Sequence, residues 1–213
     1  MLRLHGYWRS TASYRVRIAL NLKGAPYEQA TYDLRTDAHK DLGYLSLAPH
    51  GLVPALESDD GVILESPAIL EWLEERFPQP RLLPEDAFAR AAVRAMAGLI
   101  GCDIHPLNNL RVLRALRSEF EAKPEAVERW IARWVGDGFA ALEVLVARHG
   151  QGFAFGAEPT LADCYLVPQV YAARRFGVDL ADFPAIRAAA AGAEALPAIQ
   201  AAHPDRQPDA DRT

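Results

Sequence analysis

Ser10, Thr11 and Ser13 follow a short apolar run and open a helical stretch carrying Arg15 and Arg17, with Arg9 immediately ahead of them. A helix N-terminus has unpaired backbone N–H groups and the positive end of the helix dipole, so it favours an anion. A thiolate held there is stabilised further by a hydroxyl donor. The loop has no cysteine, so a thiol working at this point has to arrive on a bound cofactor. Glu65-Ser66-Pro67 has the same character: Ser66 reads as an N-cap with Pro67 at the first helical position, and the carboxylate, the hydroxyl and the free N–H groups together suit a carboxylate ligand. Plain capping of its own helix is the competing reading of Ser66. Val53-Pro54 lies between the two, and a proline at the start of an apolar strand cannot donate to a ladder, which marks an edge, a bulge or a cis turn.

The elements that position these residues read as β-α-β, then a helical segment over about residues 38–46, then β-β-α. "LRLH" alternates, "YEQATYDL" alternates loosely, and "LVPALES" and "GVILE" are short β-prone runs. The first helix runs from about Ser13 to Lys23 and stops at Gly24 and Pro26; the last presents Ile69, Leu70, Leu73 and Phe77 at helical spacing. If the strand ending near Trp8 lies beside the strand of Val53 to Leu56, Ser10 comes close to Ser66. Residues 1–80 therefore read as a small α/β domain. The proline-rich "FPQPRLLPED" is a linker, and residues 86–205 read as an all-helical domain whose apolar stripes (Val93, Met96, Ile100, Ile104; Val127, Trp130, Ile131, Trp134) are bundle core. Pro106 is expected to bend its helix. The polar tail "HPDRQPDADRT" reads as frayed.

The helical half has polar clusters of its own. Thr160-x-x-Asp163 before an apolar run is a capping-box variant. Arg174, on nearly the same face as Asp163, is followed by Arg175, and one of the pair can point inward while the other is solvated; the alternative makes both surface charges near a helix C-terminus. In "HPLNNLRVL", Asn108 and Arg111 are three apart and read as neighbours on one face, while His105 reads equally as a packed histidine. The polar groups beside Pro106 can instead satisfy carbonyls that the proline frees. Arg15 and Arg17, two apart, face different directions, so at least one is structural or solvated.

Composition narrows the classes. Lys plus Arg number 23 against 28 Asp plus Glu, a net charge of −5, which argues against a nucleic-acid partner and makes any basic cluster local and aimed at something small. Cys102 and Cys164 have no metal-type spacing, so no metal site is expected and both read as reduced thiols. No window approaches the length of a membrane span and no targeting pattern opens the chain, so a cytoplasmic protein without a membrane partner is expected.

"RSTASYRVRIALNLKG", "LVPALES", "ESPAILEWLEERFP", "GCDIHPLNN" and "TLADCYLVPQV", in this order, resemble the zeta-class glutathione S-transferases, with the strongest likeness to their maleylacetoacetate and maleylpyruvate isomerases. The resemblance covers nearly the whole chain except the tail. It implies a thioredoxin-like N-terminal domain, a helical-bundle C-terminal domain and a homodimer that binds glutathione. By that likeness Ser10, with Thr11 able to share or take over the duty, donates to the glutathione sulfur. Val53 pairs with the tripeptide backbone through a cis bond at Pro54, Glu65 and Ser66 hold the γ-glutamyl end, and His50 is a candidate for the glycine carboxylate. The likeness also turns His105 and Asn108 toward glutathione, and Arg9, Arg111 and Arg174 or Arg175 toward the carboxylates of a small dicarboxylate substrate. One departure stands out: the family signature places a cysteine where this chain has Ala12.

The activity implied is a glutathione-dependent cis–trans isomerisation of a maleyl diacid in aromatic-compound or tyrosine breakdown. A transferase conjugating small electrophiles such as halogenated acids, and a non-catalytic glutathione-binding module, are the competing classes. The arginines discriminate, because a diacid needs them and an apolar electrophile does not.

Overall fold

Residues 1–211 are described in a computed structural model of the chain. Four strands, β1 (Leu2–Gly6), β2 (Tyr27–Thr31), β3 (Ala55–Ser58) and β4 (Gly61–Leu64), form one sheet in the order β2-β1-β3-β4. β1 runs parallel to β2 and antiparallel to β3, and β3 is antiparallel to β4. The parallel pair needs a crossover, and α1 (Thr11–Leu22) supplies it. The segment expected at 38–46 is a 3₁₀ turn, Ala38–Lys40, followed by α2 (Leu42–Leu47), and α3 (Ser66–Arg76) closes this α/β layer.

The remaining chain is helical: α4 (Ala87–Gly98), α5 (Leu110–Ser118), α6 (Pro124–His149), α7 (Leu161–Arg175), α8 (Pro184–Glu194) and α9 (Pro197–Ala202). The expectation of an α/β part followed by an all-α part is met. Met1–Leu82 group with the chain from Ala195 onward in one unit, and Leu83–Glu194 form the second. The reason is α9, which packs on α1.

Every residue of α1 from Ser13 to Leu20 is buried, and the helix packs on α3 and α9. Such a helix has no solvated face for its two arginines. Arg17, 1 % exposed, donates to the carbonyls of Trp8 at 2.8 Å and Ala202 at 3.0 Å, so it is the structural member of the pair. Lys23 closes the other end of α1, with its ammonium on Glu74 and on the carbonyls of Phe77 and Pro80.

The tail is held in place as far as Asp211, contrary to the expectation of fraying. Gln207 is buried and donates to the carbonyls of Ala201 and His203, Asp211 meets Arg35, and Asp209 accepts the Trp8 N–H at 3.0 Å. Its polar residues are thus matched to particular partners. Arg212 and Thr213 lie outside the described residues.

In the second unit, the helix expected to bend at Pro106 instead breaks. α4 passes into a turn of π-helix at Leu99–Ile104, then a 3₁₀ turn at Pro106–Asn108, and α5 starts afresh with Asn109 as its N-cap. A proline without an N–H, followed by a side chain that caps a new helix, ends the old one. No helix among the described residues is long and apolar enough to cross a membrane.

Candidate active site

Register puts three loops at one end of the sheet. His5 on β1 lies opposite Ala55 on β3, and Ala55 lies opposite Leu64 on β4. The chain therefore leaves β1 toward Ser10, enters β3 from Val53-Pro54 and leaves β4 into Glu65-Ser66, all at the same edge. The Val53-Pro54 bond is cis, and strand pairing begins only at Ala55, so Val53 stands outside the ladder.

Ser10 is the N-cap of α1, and its Oγ accepts the Ser13 N–H at 3.2 Å. A hydroxyl has one proton and two lone pairs, so this bond leaves the Ser10 O–H to donate elsewhere. No acidic residue sits in the first turn of α1 to oppose an anion. Thr11 is 8 % exposed and Ser10 is half-buried, so the hydroxyl with access is that of Ser10. The segment ahead of it is clamped, since the Trp8 N–H is held by Asp209 and its carbonyl by Arg17. Arg9 is half-buried, with its guanidinium carbon 5.2 Å from the Trp8 ring centre. Gly6 allows close packing here, because a Cβ at that position would lie 3.0 Å from Ser13 Oγ and force Ser13 to give by a few tenths of an ångström.

At the start of α3 the structure departs from the expected cap. Glu65 is the N-cap, it makes no side-chain capping bond, and Ser66 is the first helical residue. The Ser66 hydroxyl is therefore not taken up in capping its helix. It instead accepts from Arg15 Nη1 at 3.3 Å, with both residues buried. Glu65 holds φ at 67°, a left-handed value that costs a non-glycine residue about 1–3 kcal/mol and tends to mark functional sites. Its carboxylate is mostly exposed and lies 3.7 Å from His50 Nε2, whose other ring nitrogen is buried without a hydrogen-bond partner.

The other named residues belong to the second unit. Asn108 donates to the Ile104 carbonyl at 3.1 Å, which satisfies a group next to the proline, and its Oδ1 is buried without a partner. Asn108 and Arg111 are not neighbours on one helix, because Asn109 caps α5 between them. Arg111 is exposed and His105 half-buried. Both Arg174 and Arg175 are exposed at the end of α7, so neither is the inward-facing member expected of the pair. They differ in what they touch: Arg174 is paired with Glu194 at 2.7 Å, whereas the Arg175 guanidinium lies 4.4 Å from the Phe176 ring centre.

Comparison with known proteins covers both units. Residues 9–76 match the glutathione S-transferase N-terminal domain and residues 112–201 the glutathione S-transferase C-terminal domain. The chain is 52 % identical over 211 residues to maleylacetoacetate isomerase of Pseudomonas aeruginosa, covering 98 % of each chain. It is similar to a solved holo maleylpyruvate isomerase described as a bacterial zeta-class glutathione S-transferase, with TM-score 0.96, 49 % identity and coverage of 98 % of this chain and 100 % of that one. It is also similar to maleylacetoacetate isomerase of Anaeromyxobacter dehalogenans solved with glutathione in the active site, with TM-score 0.90, 46 % identity and coverage of 99 % and 98 %.

Proposed function

The chain belongs to the glutathione S-transferase family, in its zeta class, and from that premise we propose that it is a glutathione-dependent cis–trans isomerase of a maleyl diacid, maleylpyruvate or maleylacetoacetate. The observation that carries the site reading is the buried bond from Arg15, one turn into α1, to Ser66, the first residue of α3. The residues present fit the tripeptide. A hydroxyl with a proton to give stands at α1, a second stands at α3 beside a carboxylate able to take an ammonium, and His50 keeps a buried nitrogen without a partner.

When bound, glutathione supplies a thiolate that adds to the alkene, lets the resulting single bond turn, and leaves to give the trans isomer. The chain's own residues then have distinct tasks. Ser10 donates to the sulfur and, with the α1 dipole, favours the ionised thiol. Val53 pairs with the peptide backbone, and Glu65 and Ser66 take the ammonium and carboxylate of the γ-glutamyl end. Arg9 and Arg111 offer forked donors to substrate carboxylates.

Of the two arginines closing α7, we assign the substrate carboxylate to Arg175 and leave Arg174 to its ion pair with Glu194 at 2.7 Å. Arg175→Ala is expected to raise the KM for the diacid about tenfold, the size of one lost charge-assisted hydrogen bond. Arg174→Ala should change it by less than about threefold, as for an exposed ion pair. Steady-state kinetics on both variants checks the assignment, and the reverse order would exchange the two roles. The same reading includes a homodimer in the cytoplasm, testable by sedimentation of the purified protein and by cell fractionation.

The deciding experiment follows the enone absorbance of maleylpyruvate and of maleylacetoacetate with purified protein, with and without glutathione. Rapid loss of either, only when glutathione is present, is the expected result and names the substrate. No turnover of either, with glutathione still bound, overturns the isomerase in favour of a conjugating transferase or a binding module.

A further inference from the structure

We propose that Arg15 is a positioning residue that makes Ser66 a dedicated donor to the γ-glutamyl carboxylate of glutathione and gives this subsite its preference for that charge. The inference rests on the reading of Ser66 as a γ-glutamyl contact and adds a residue behind it.

Direction is fixed by chemistry. A guanidinium has donors and no acceptor, so in the 3.3 Å contact Arg15 Nη1 gives and Ser66 Oγ receives. The single Ser66 proton must then point to something else. It is not directed to capping α3, whose N-cap is Glu65. Ser66 is 3 % exposed and Arg15 2 % exposed, so the pair is shielded and its electrostatics are stronger than at a surface.

Placement argues the same way. Cations stabilise the C-terminal ends of helices and oppose the N-terminal ends. Arg15 sets a buried positive group against the first residue of α3, and the first turn of that helix contains no acidic residue. For holding a carboxylate this arrangement is favourable, because a full charge, a helix dipole and an aimed hydroxyl converge on one anion. Arg17, two residues on, is the contrast, since it donates to the backbone carbonyls of Ala202, Tyr7 and Trp8 in the same unit.

The test measures binding by calorimetry for glutathione, for the analogue lacking the γ-glutamyl carboxylate (γ-aminobutyryl-cysteinyl-glycine) and for the analogue lacking the amine (glutaryl-cysteinyl-glycine). Wild-type protein is expected to prefer glutathione over the decarboxylated analogue by at least about tenfold, the scale of a charge-assisted hydrogen bond. Arg15→Met fills the buried space with an unbranched apolar chain and removes the charge. It should collapse that preference toward about one while leaving the preference over the deaminated analogue in place, and the KM for glutathione should rise by a larger factor than kcat falls. Arg15→Lys should restore part of the preference. An Arg15→Met protein that folds and keeps the wild-type preference overturns the proposal. So does an Arg15→Lys protein that regains none of a lost preference, because the charge is then not what matters. Ser66→Ala separates the two levels: if it loses the preference while Arg15→Met keeps it, the γ-glutamyl reading stands and only the role of Arg15 fails. If Ser66→Ala also keeps the preference, the γ-glutamyl reading itself is wrong.

Discussion

Replacing Ser10 by alanine is expected to raise the pKa of bound glutathione by about 1 to 2 and to lower kcat/KM by about ten- to a hundredfold. The size follows from one hydrogen bond to a charged group, about 1.5–3 kcal/mol, converted at 1.36 kcal/mol per tenfold. The direction follows from the donor geometry. Ser10 Oγ accepts from the Ser13 N–H, its own proton is therefore directed away from the helix, and the loop is pinned through Trp8 at both its N–H and its carbonyl. Alanine also removes an N-cap, at a cost of about 1 kcal/mol in stability, whereas glycine at an N-cap costs only a few tenths. Ser10→Gly should thus match Ser10→Ala in thiol pKa and activity while remaining more stable. Thr11→Ala should leave the thiol pKa where it is, since Thr11 is buried. Ultraviolet titration of the thiolate in the binary complex reads all three variants. If the shift follows Thr11 instead, the two hydroxyls exchange roles.

Local chemistry was legible where one short segment determines it. The strand at "LRLH", the proline ahead of β3 and the Thr160–Asp163 capping box each depend on a few neighbouring residues, and each appears as read, except that a buried His5 breaks the alternation. What escaped depends on partners distant in sequence. Arg15 and Arg17 read as a helix pair with at least one member structural or solvated, yet α9, close to the other end of the chain, closes over α1 so that both are buried. The stretch "SYRVRIAL" held a usable signal, because apolar residues on all sides of a helix leave no polar face for an arginine. The tail read as frayed because its polarity was weighed as composition, whereas Gln207, Asp209 and Asp211 each meet a partner specific in geometry. Ser66 stands one residue further into α3 than its pattern predicts, and that residue matters: an N-cap serine directs its hydroxyl to its own helix, while a first-turn serine leaves it available to Arg15.

Asp163→Ala is expected to be the most destabilising single change named, at about 3–5 kcal/mol, from the loss of a cap and the orphaning of two buried N–H groups at about 1–3 kcal/mol each. Asp163 is fully buried, and its carboxylate accepts the Ala154 N–H at 2.8 Å, the Thr160 N–H at 2.8 Å and the Thr160 hydroxyl at 3.1 Å. It thereby ties the loop at 154–160 to the first turn of α7. Burial pushes the carboxyl up to about 6 from an ordinary 3.8, with its hydrogen-bond donors opposing part of that rise. The folded chain therefore binds this proton more tightly than the unfolded one. Its contribution to stability is fully present below about 4 and is lost as pH rises through about 6. The loss is on the order of 3 kcal/mol. Asp33 and Asp59, whose pKa values are lowered by their partners, act in the opposite sense and in a separate window, losing stability as pH falls below the ordinary carboxylate range. Asp163→Asn isolates the effect. It keeps one carbonyl acceptor, so it should fold, but it cannot titrate. Urea midpoints of wild type and Asp163→Asn between pH 4 and 7 should show a wild-type decline with rising pH that the variant lacks. Equal slopes in the two proteins would mean that the three donors hold Asp163 ionised throughout this range, so that the loop is fastened by a permanent charge with no proton involved.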